Sequence, residues 1–163
     1  MHEPGNSISA ARLPLPPQLV LLLLALEVTI RFSHERDVST NPWRVALGVL
    51  LAAAGLSLTL AAARHFERRR ANIGPFRNPT KLVVDGWFRV SRNPMYLGFA
   101  LLLAGVALAL GGLFTTLPTA LFVLAAERIY IPFEERAMTR VFGEDYLRYS
   151  KRVRRWFGRR RSE

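Results

Sequence analysis

Four apolar runs, at 15–32, 45–63, 96–113 and 114–133, constrain this chain more than any other feature. Each is close to the roughly 20 residues with which a helix crosses a bilayer. In lipid only a helix or a closed barrel satisfies every backbone polar group, and apolar runs of this length belong to helices. The reading is therefore an all-α integral membrane protein, with about four transmembrane helices plus a C-terminal amphipathic surface helix. Residues 1–163 form one domain on this reading, with a basic loop at 64–92 and a basic tail at 134–163.

Half of the residues are hydrophobic, yet Lys and Arg exceed Asp and Glu by 11. In a soluble chain that excess would point to nucleic acid. Here the cations lie between the apolar runs and no recognition motif accompanies them, so no nucleic-acid partner is expected. The loop 64–92 carries eight cations and the tail ten, whereas 33–44 carries Arg36 and Arg44 and the turn 111–117 carries none. The positive-inside rule then puts the N-terminus, the basic loop and the tail on the cytoplasmic side. Cysteine is absent, which excludes disulfides, thiolate catalysis and Cys-ligated metals. His2, His34 and His65 are scattered without ligand spacing, and no metal site is expected. No glycine-rich phosphate loop or dinucleotide fingerprint is present.

Residues 1–14 are polar and Pro-containing, and order is not expected there. The run at 15–32 is read as a retained helix rather than a cleaved signal peptide, because only Arg12 precedes it as a cation and no small-residue cleavage pattern follows. Glu27 within it is either a functional intramembrane carboxylate or the partner of Arg31, one turn on along the same face. Gly48, Ala52, Gly55 and Thr59 in the second run, and Gly98, Gly105 and Ala109 in the third, are small residues that would let helices approach closely. Gly74-Pro75 and Asn78-Pro79 punctuate the basic loop, and Asp85-Gly86 reads as a turn. Spans three and four are joined by a short uncharged turn, with Pro118 tolerated in the first turn of the fourth. In the tail, Met138, Phe142, Tyr146, Tyr149, Val153 and Trp156 recur at helical spacing, which predicts one apolar stripe lying on anionic lipid.

Asn93-Pro94 marks the start of the third helix, since Asn is a favoured N-cap and Pro a favoured first residue. A helix start under a basic loop is a place for an anion. The short hairpin of spans three and four brings that start beside 134–136. At this mouth the sequence gathers Phe88, Arg89, Arg92, Asn93, Tyr96, Tyr130, Glu134, Glu135 and Arg136. Cations suit a carboxylate, carboxylates suit an ammonium or hydroxyls, and aromatic faces suit a purine or a sulfonium. S-adenosylmethionine matches this set on each count; a surface salt-bridge cluster is the plainer reading of the same residues.

The run Leu82-Val83-Val84-Asp85-Gly86-Trp87-Phe88, followed by Ser91-Arg92-Asn93-Pro94-Met95-Tyr96-Leu97-Gly98, resembles the isoprenylcysteine carboxyl methyltransferase family and the related phospholipid methyltransferases, above all their small prokaryotic integral-membrane members. A second block agrees: Ile131-Pro132-Phe133-Glu134-Glu135-Arg136, then Phe142-Gly143-Glu144-Asp145-Tyr146, Tyr149 and Val153-Arg154-Arg155-Trp156. The resemblance implies a membrane methyltransferase that uses S-adenosylmethionine and releases S-adenosylhomocysteine, in a prokaryotic inner membrane. It implies cofactor contacts at Thr80, Lys81, Leu82, Val83, Phe88, Asn93, Pro94, Met95, Tyr96 and Glu134. Arg92, Arg128 and Glu135 are the expected catalytic or acceptor-binding residues, and Glu127 is a further candidate base. Tyr130 stands where the isoprenylcysteine enzymes carry a substrate-binding Arg, so the resemblance leaves the lipophilic acceptor open between carboxylate and amine. The alternative is a non-enzymatic membrane scaffold or anionic-lipid-binding protein.

Overall fold

A computed structural model describes residues 14–34, 41–70 and 79–159. The readings made for 1–13, for Arg36, for Gly74-Pro75, Arg77 and Asn78, and for 160–163 lie outside these residues. Among the described residues five α-helices carry the fold: α1 (Pro16–His34), α2 (Pro42–Arg68), α3 (Pro94–Leu110), α4 (Leu117–Ala125) and α5 (Ile131–Arg152). α1 and α2 are long and apolar enough to cross a membrane, as is the continuous helical stretch Phe114–Arg152. α3, with 17 apolar residues, sits at the short end of what spans. The fold is that of an all-α integral membrane protein.

α2 begins where capping chemistry places it. Asn41 Oδ1 accepts from the backbone N–H groups of Trp43 and Arg44 at 2.9 and 3.2 Å, and Pro42 takes the first helical position. The helix then runs past the apolar segment to Arg68, so its last turns carry His65 and Phe66 toward the basic loop.

α2 and α3 pack antiparallel through their small residues. A Cβ placed on Gly48 would stand 2.5 Å from the Ala109 nitrogen, and one on Gly105 would stand 2.3 Å from the Ala52 nitrogen. A Cβ on Gly55 would meet the Gly98 carbonyl oxygen at 2.5 Å. The two backbones therefore touch, as expected from the sequence spacing, and Thr59 Oγ1 reaches the Met95 carbonyl at 3.2 Å. Outside this contact α2 presents Leu47, Val49, Leu50, Leu56 and Leu60, the surface expected of a helix facing lipid.

α1 lies against α3 and α4. Glu27 is fully buried and accepts from Thr119 Oγ1 at 3.0 Å, while Arg31 Nε donates to the Leu110 carbonyl at 3.0 Å. The expected pairing of Glu27 with Arg31 is replaced by these two contacts. The reason is local: the last carbonyls of α3 lack helical partners and offer Arg31 an acceptor, and Thr119 supplies Glu27 with a donor.

The Phe114–Arg152 stretch is interrupted twice. Five residues, Ala126–Tyr130, form a π-helical turn between α4 and α5, and Gly143 in α5 has φ 49° and ψ −124°, a conformation in which glycine is favoured. The expected C-terminal helix is present but is continuous with the fourth span. It ends at Arg152, so Val153 and Trp156 leave the stripe on which their spacing placed them. Tyr146 is buried and Tyr149 half-buried, packing that stripe partly on protein.

Candidate active site

α3 starts at Pro94 with Asn93 as its N-cap residue, as the sequence predicts, but the Asn93 side chain forms no capping bond. Its Nδ2 donates to the Arg155 carbonyl at 3.2 Å. Ser91, buried beside it, donates Oγ to the same carbonyl at 3.2 Å and accepts the Asn93 N–H at 3.1 Å. The motif Ser-Arg-Asn thus holds the returning C-terminal segment rather than its own helix end.

One turn into α3, the buried Tyr96 donates its hydroxyl to Glu134 Oε1 at 2.8 Å. The π-turn delivers Tyr130 beside it, with the two rings 6.1 Å apart and inclined by 25°. Tyr96 is the one side-chain partner of Glu134 among the described residues. The neighbouring Glu135 is placed differently. Its Oε1 lies 2.9 Å from Arg92 Nη1 and 3.0 Å from Arg155 Nε, and its Oε2 accepts from Arg155 Nη2 at 2.6 Å. Arg155 Nη1 also donates to Glu127 Oε1 at 2.5 Å, and Trp156 Nε1 donates to Glu127 Oε2 at 2.8 Å. Hydrogen bonding to Glu135, with Glu127 behind it, holds the Arg155 guanidinium above its ordinary pKa. Arg92, only 9% exposed, donates Nη1 to the Tyr146 hydroxyl at 3.2 Å. A cleft of about 590 Å³ opens beside this group, lined by Arg92, Glu135, Arg136, Arg140, Tyr146 and the neighbouring faces of α5.

The second part of the expected site gathers around Phe88. The turn Gly86–Arg89 buries Phe88 against Phe66 and Val83, with Met95 and Tyr149 packed on them. Tyr149 donates to the Phe88 carbonyl at 2.7 Å. Asp85 precedes the turn and is held by His65 Nε2 at 2.7 Å and by Arg69. The hydrogen bond from His65 keeps the Asp85 carboxyl below its ordinary range. Leu82 lines a second cleft of about 560 Å³ with Asp85, Arg89, Arg148, Tyr149 and Arg152.

The expected residues therefore divide. Arg92, Asn93, Tyr96, Glu134 and Glu135 converge with Tyr130, and Pro94 is fully buried at the helix start. Val83, Phe88 and Met95 form the adjoining apolar wall. Thr80 and Lys81 are exposed at its edge. Arg128 is exposed on the π-turn and makes no hydrogen bond or ion pair with this group among the described residues. A straight helix would have set Arg128 by the usual 100° per residue, and the π-turn changes that register.

Residues of the second motif block complete the cluster: Tyr146, Tyr149 and Trp156, whose spacing also fits a lipid-facing stripe, and Arg155, to which the sequence gives no role of its own. Their signal was the spacing of aromatic residues within 142–156, which records contact with the 82–93 segment as readily as contact with lipid.

The chain matches the phospholipid methyltransferase family over residues 43–145, a region holding both Arg92–Gly98 and Glu134-Glu135. It is 35% identical over 139 residues to protein-S-isoprenylcysteine O-methyltransferase B of Arabidopsis thaliana, covering 83% of this chain and 70% of that one. It is also 37% identical over 62 residues to an uncharacterized protein of Haemophilus influenzae, covering 38% of this chain and 98% of that one. No solved structure matches it. With the motif residues meeting in one cluster and the family match spanning them, the chain belongs to the phospholipid methyltransferase family.

Proposed function

We propose that this protein transfers a methyl group from S-adenosylmethionine to a lipophilic acceptor at the cytoplasmic face of the membrane. The observation that carries the reading is the Tyr96–Glu134 pair. It joins the start of α3 to the start of α5 and leaves Glu134 as a carboxylate with one side-chain partner, inside the region matched by the family. The cation distribution supports a cytoplasmic site, because the loop and the tail that flank the cluster carry most of the positive charge. An inner-membrane location with both termini inside belongs to the same reading.

The residues fit the cofactor on chemical grounds. Glu134 suits its hydroxyls or ammonium, Tyr96 and Tyr130 offer ring faces to a base or a sulfonium, and Asn93 to Tyr96 present a helix start to a carboxylate. Thr80 to Val83 and Phe88 would border the same group. When bound, S-adenosylmethionine supplies an electrophilic methyl group, and S-adenosylhomocysteine departs as the acceptor gains the methyl.

The chain's own part is to orient the acceptor and exclude water. A carboxylate acceptor attacks as it stands. An amine must first lose a proton, and the three glutamates are unequal for that task. Both oxygens of Glu135 bond to arginine, and both oxygens of Glu127 bond to Arg155 or Trp156, so Glu134 is the open base. Arg92, Arg136 and Arg140 beside the cleft would hold an anionic part of the acceptor, and anionic lipid would surround the basic tail.

Transfer of tritiated methyl from S-adenosylmethionine into lipid and small isoprenoid-acid fractions tests the reading. The wild type is expected to label an organic-soluble product, and Tyr96→Phe to label it about tenfold more slowly, the effect of one hydrogen bond lost inside a site. A well-folded wild type that labels no fraction would favour the scaffold reading instead.

A further inference from the structure

We propose that Arg155 is a positioning residue and that the segment 153–158 is a built part of the cofactor site. The inference rests on the methyltransferase reading of the cluster and adds to it a role for the end of the described chain.

α5 ends at Arg152, and Val153 turns to extended geometry. From there the chain doubles back, with the Arg154 N–H donating to the Gly158 carbonyl at 2.9 Å. The resulting loop is bonded to the motif from both sides. The Arg92 N–H donates to the Arg154 carbonyl at 3.0 Å, and the Gly158 N–H donates to the Val90 carbonyl at 2.7 Å. The Arg155 carbonyl accepts from both Ser91 and Asn93. Four donors thus tie this segment to residues 90–93, immediately before α3.

The side chain of Arg155 then decides which carboxylate is open. It takes Glu135 through two nitrogens and Glu127 through a third, joining α5 to the π-turn. Three glutamates stand near one another here, and two arginines, Arg92 and Arg155, face them. Both oxygens of Glu127 and of Glu135 are occupied, and Glu134, bonded by the Tyr96 hydroxyl alone, is the carboxyl that no arginine takes among the described residues. A carboxyl left open in this way suits the sulfonium or ammonium of a ligand. Arg155 makes no hydrogen bond to Glu134 or Tyr96 among the described residues. It acts by fixing Glu135 and Glu127 and by holding the 90–93 segment in place.

The test uses the full chain in nanodiscs, as wild type, Arg155→Gln, Arg155→Lys and Trp156→Phe. Amide hydrogen exchange is followed without cofactor, and affinity for S-adenosylmethionine is measured together with methyl transfer. In Arg155→Gln the Arg92 and Gly158 amides are expected to exchange faster. Dissociation constant and KM for S-adenosylmethionine are expected to rise about tenfold to a hundredfold, as for a displaced positioning group, with kcat changed less than about twofold at saturation. Arg155→Lys is expected to recover part of the affinity, and Trp156→Phe to shift it in the same direction by less. Unchanged exchange at Arg92 and Gly158 in Arg155→Gln overturns the clasp, whether or not the wild type binds cofactor. Unchanged affinity, or a fall in kcat at constant KM, overturns the positioning role. A wild type that binds no cofactor refutes the methyltransferase reading alone, and the exchange comparison still decides the clasp.

Discussion

Glu127, Glu134 and Glu135 lie within nine positions of one another and have three different surroundings. Glu127 is bonded by Arg155 and Trp156, Glu135 by Arg92 and Arg155, and Glu134 by a tyrosine hydroxyl. Residue type alone cannot assign their roles; the partners do. At the same scale Gly86 fixes the turn that buries Phe88. Its φ is +58°, and an added Cβ would stand 3.1 Å from His65 Cε1. Gly86→Ala is therefore expected to lower stability by about 1–2 kcal/mol, the cost of left-handed geometry for an L-residue, and to loosen the Phe88 wall. Thermal unfolding followed by intrinsic fluorescence checks it, and an unchanged midpoint would show that the turn relaxes freely. That Tyr96 lies near Glu134 was legible in the sequence, because a short hairpin must bring the start of one span beside the end of the next; the hydrogen bond between them was not. Arg155 was legible as a member of the second motif block, but its role was not. That role depends on the chain reversing after Val153, of which an arginine among arginines gives no sign.

At the scale of elements, the α2–α3 contact is the part of the fold that the sequence states most directly. Glycines at seven-residue spacing on both helices leave no room for a methyl group. Gly105→Ala is expected to destabilise by about 1–3 kcal/mol, as overpacking does, because the atoms it meets are backbone and cannot swing away. Leu121→Ala on the exposed face of α4 serves as the comparison and is expected to change stability less. Thermal stability in detergent separates the two, and equal losses would contradict the packing account. The π-turn and the Gly143 kink were not legible. Residues 126–130 look like ordinary helix by composition, and the extra residue in the turn is set by what α4 and α5 must each pack against. On that turn Tyr130 lies against Tyr96, while Arg128 is exposed and bonds to no residue of the cluster among the described residues.

For the whole molecule, the division of labour follows from where charge can be placed. The apolar spans carry the packing. The polar chemistry collects at one end, where the loop before α3, the start of α5 and the segment after Val153 meet. On the proposed function this meeting point binds S-adenosylmethionine through Glu134. The most direct test is calorimetric binding of S-adenosylmethionine and S-adenosylhomocysteine to purified wild type and to Glu134→Ala, with folding of both checked by thermal unfolding. Binding by the wild type and a loss of about tenfold or more in affinity for the variant are expected, as for a charged hydrogen-bond partner removed from a ligand. Equal affinity in a folded Glu134→Ala protein would contradict the account and remove that residue from the site.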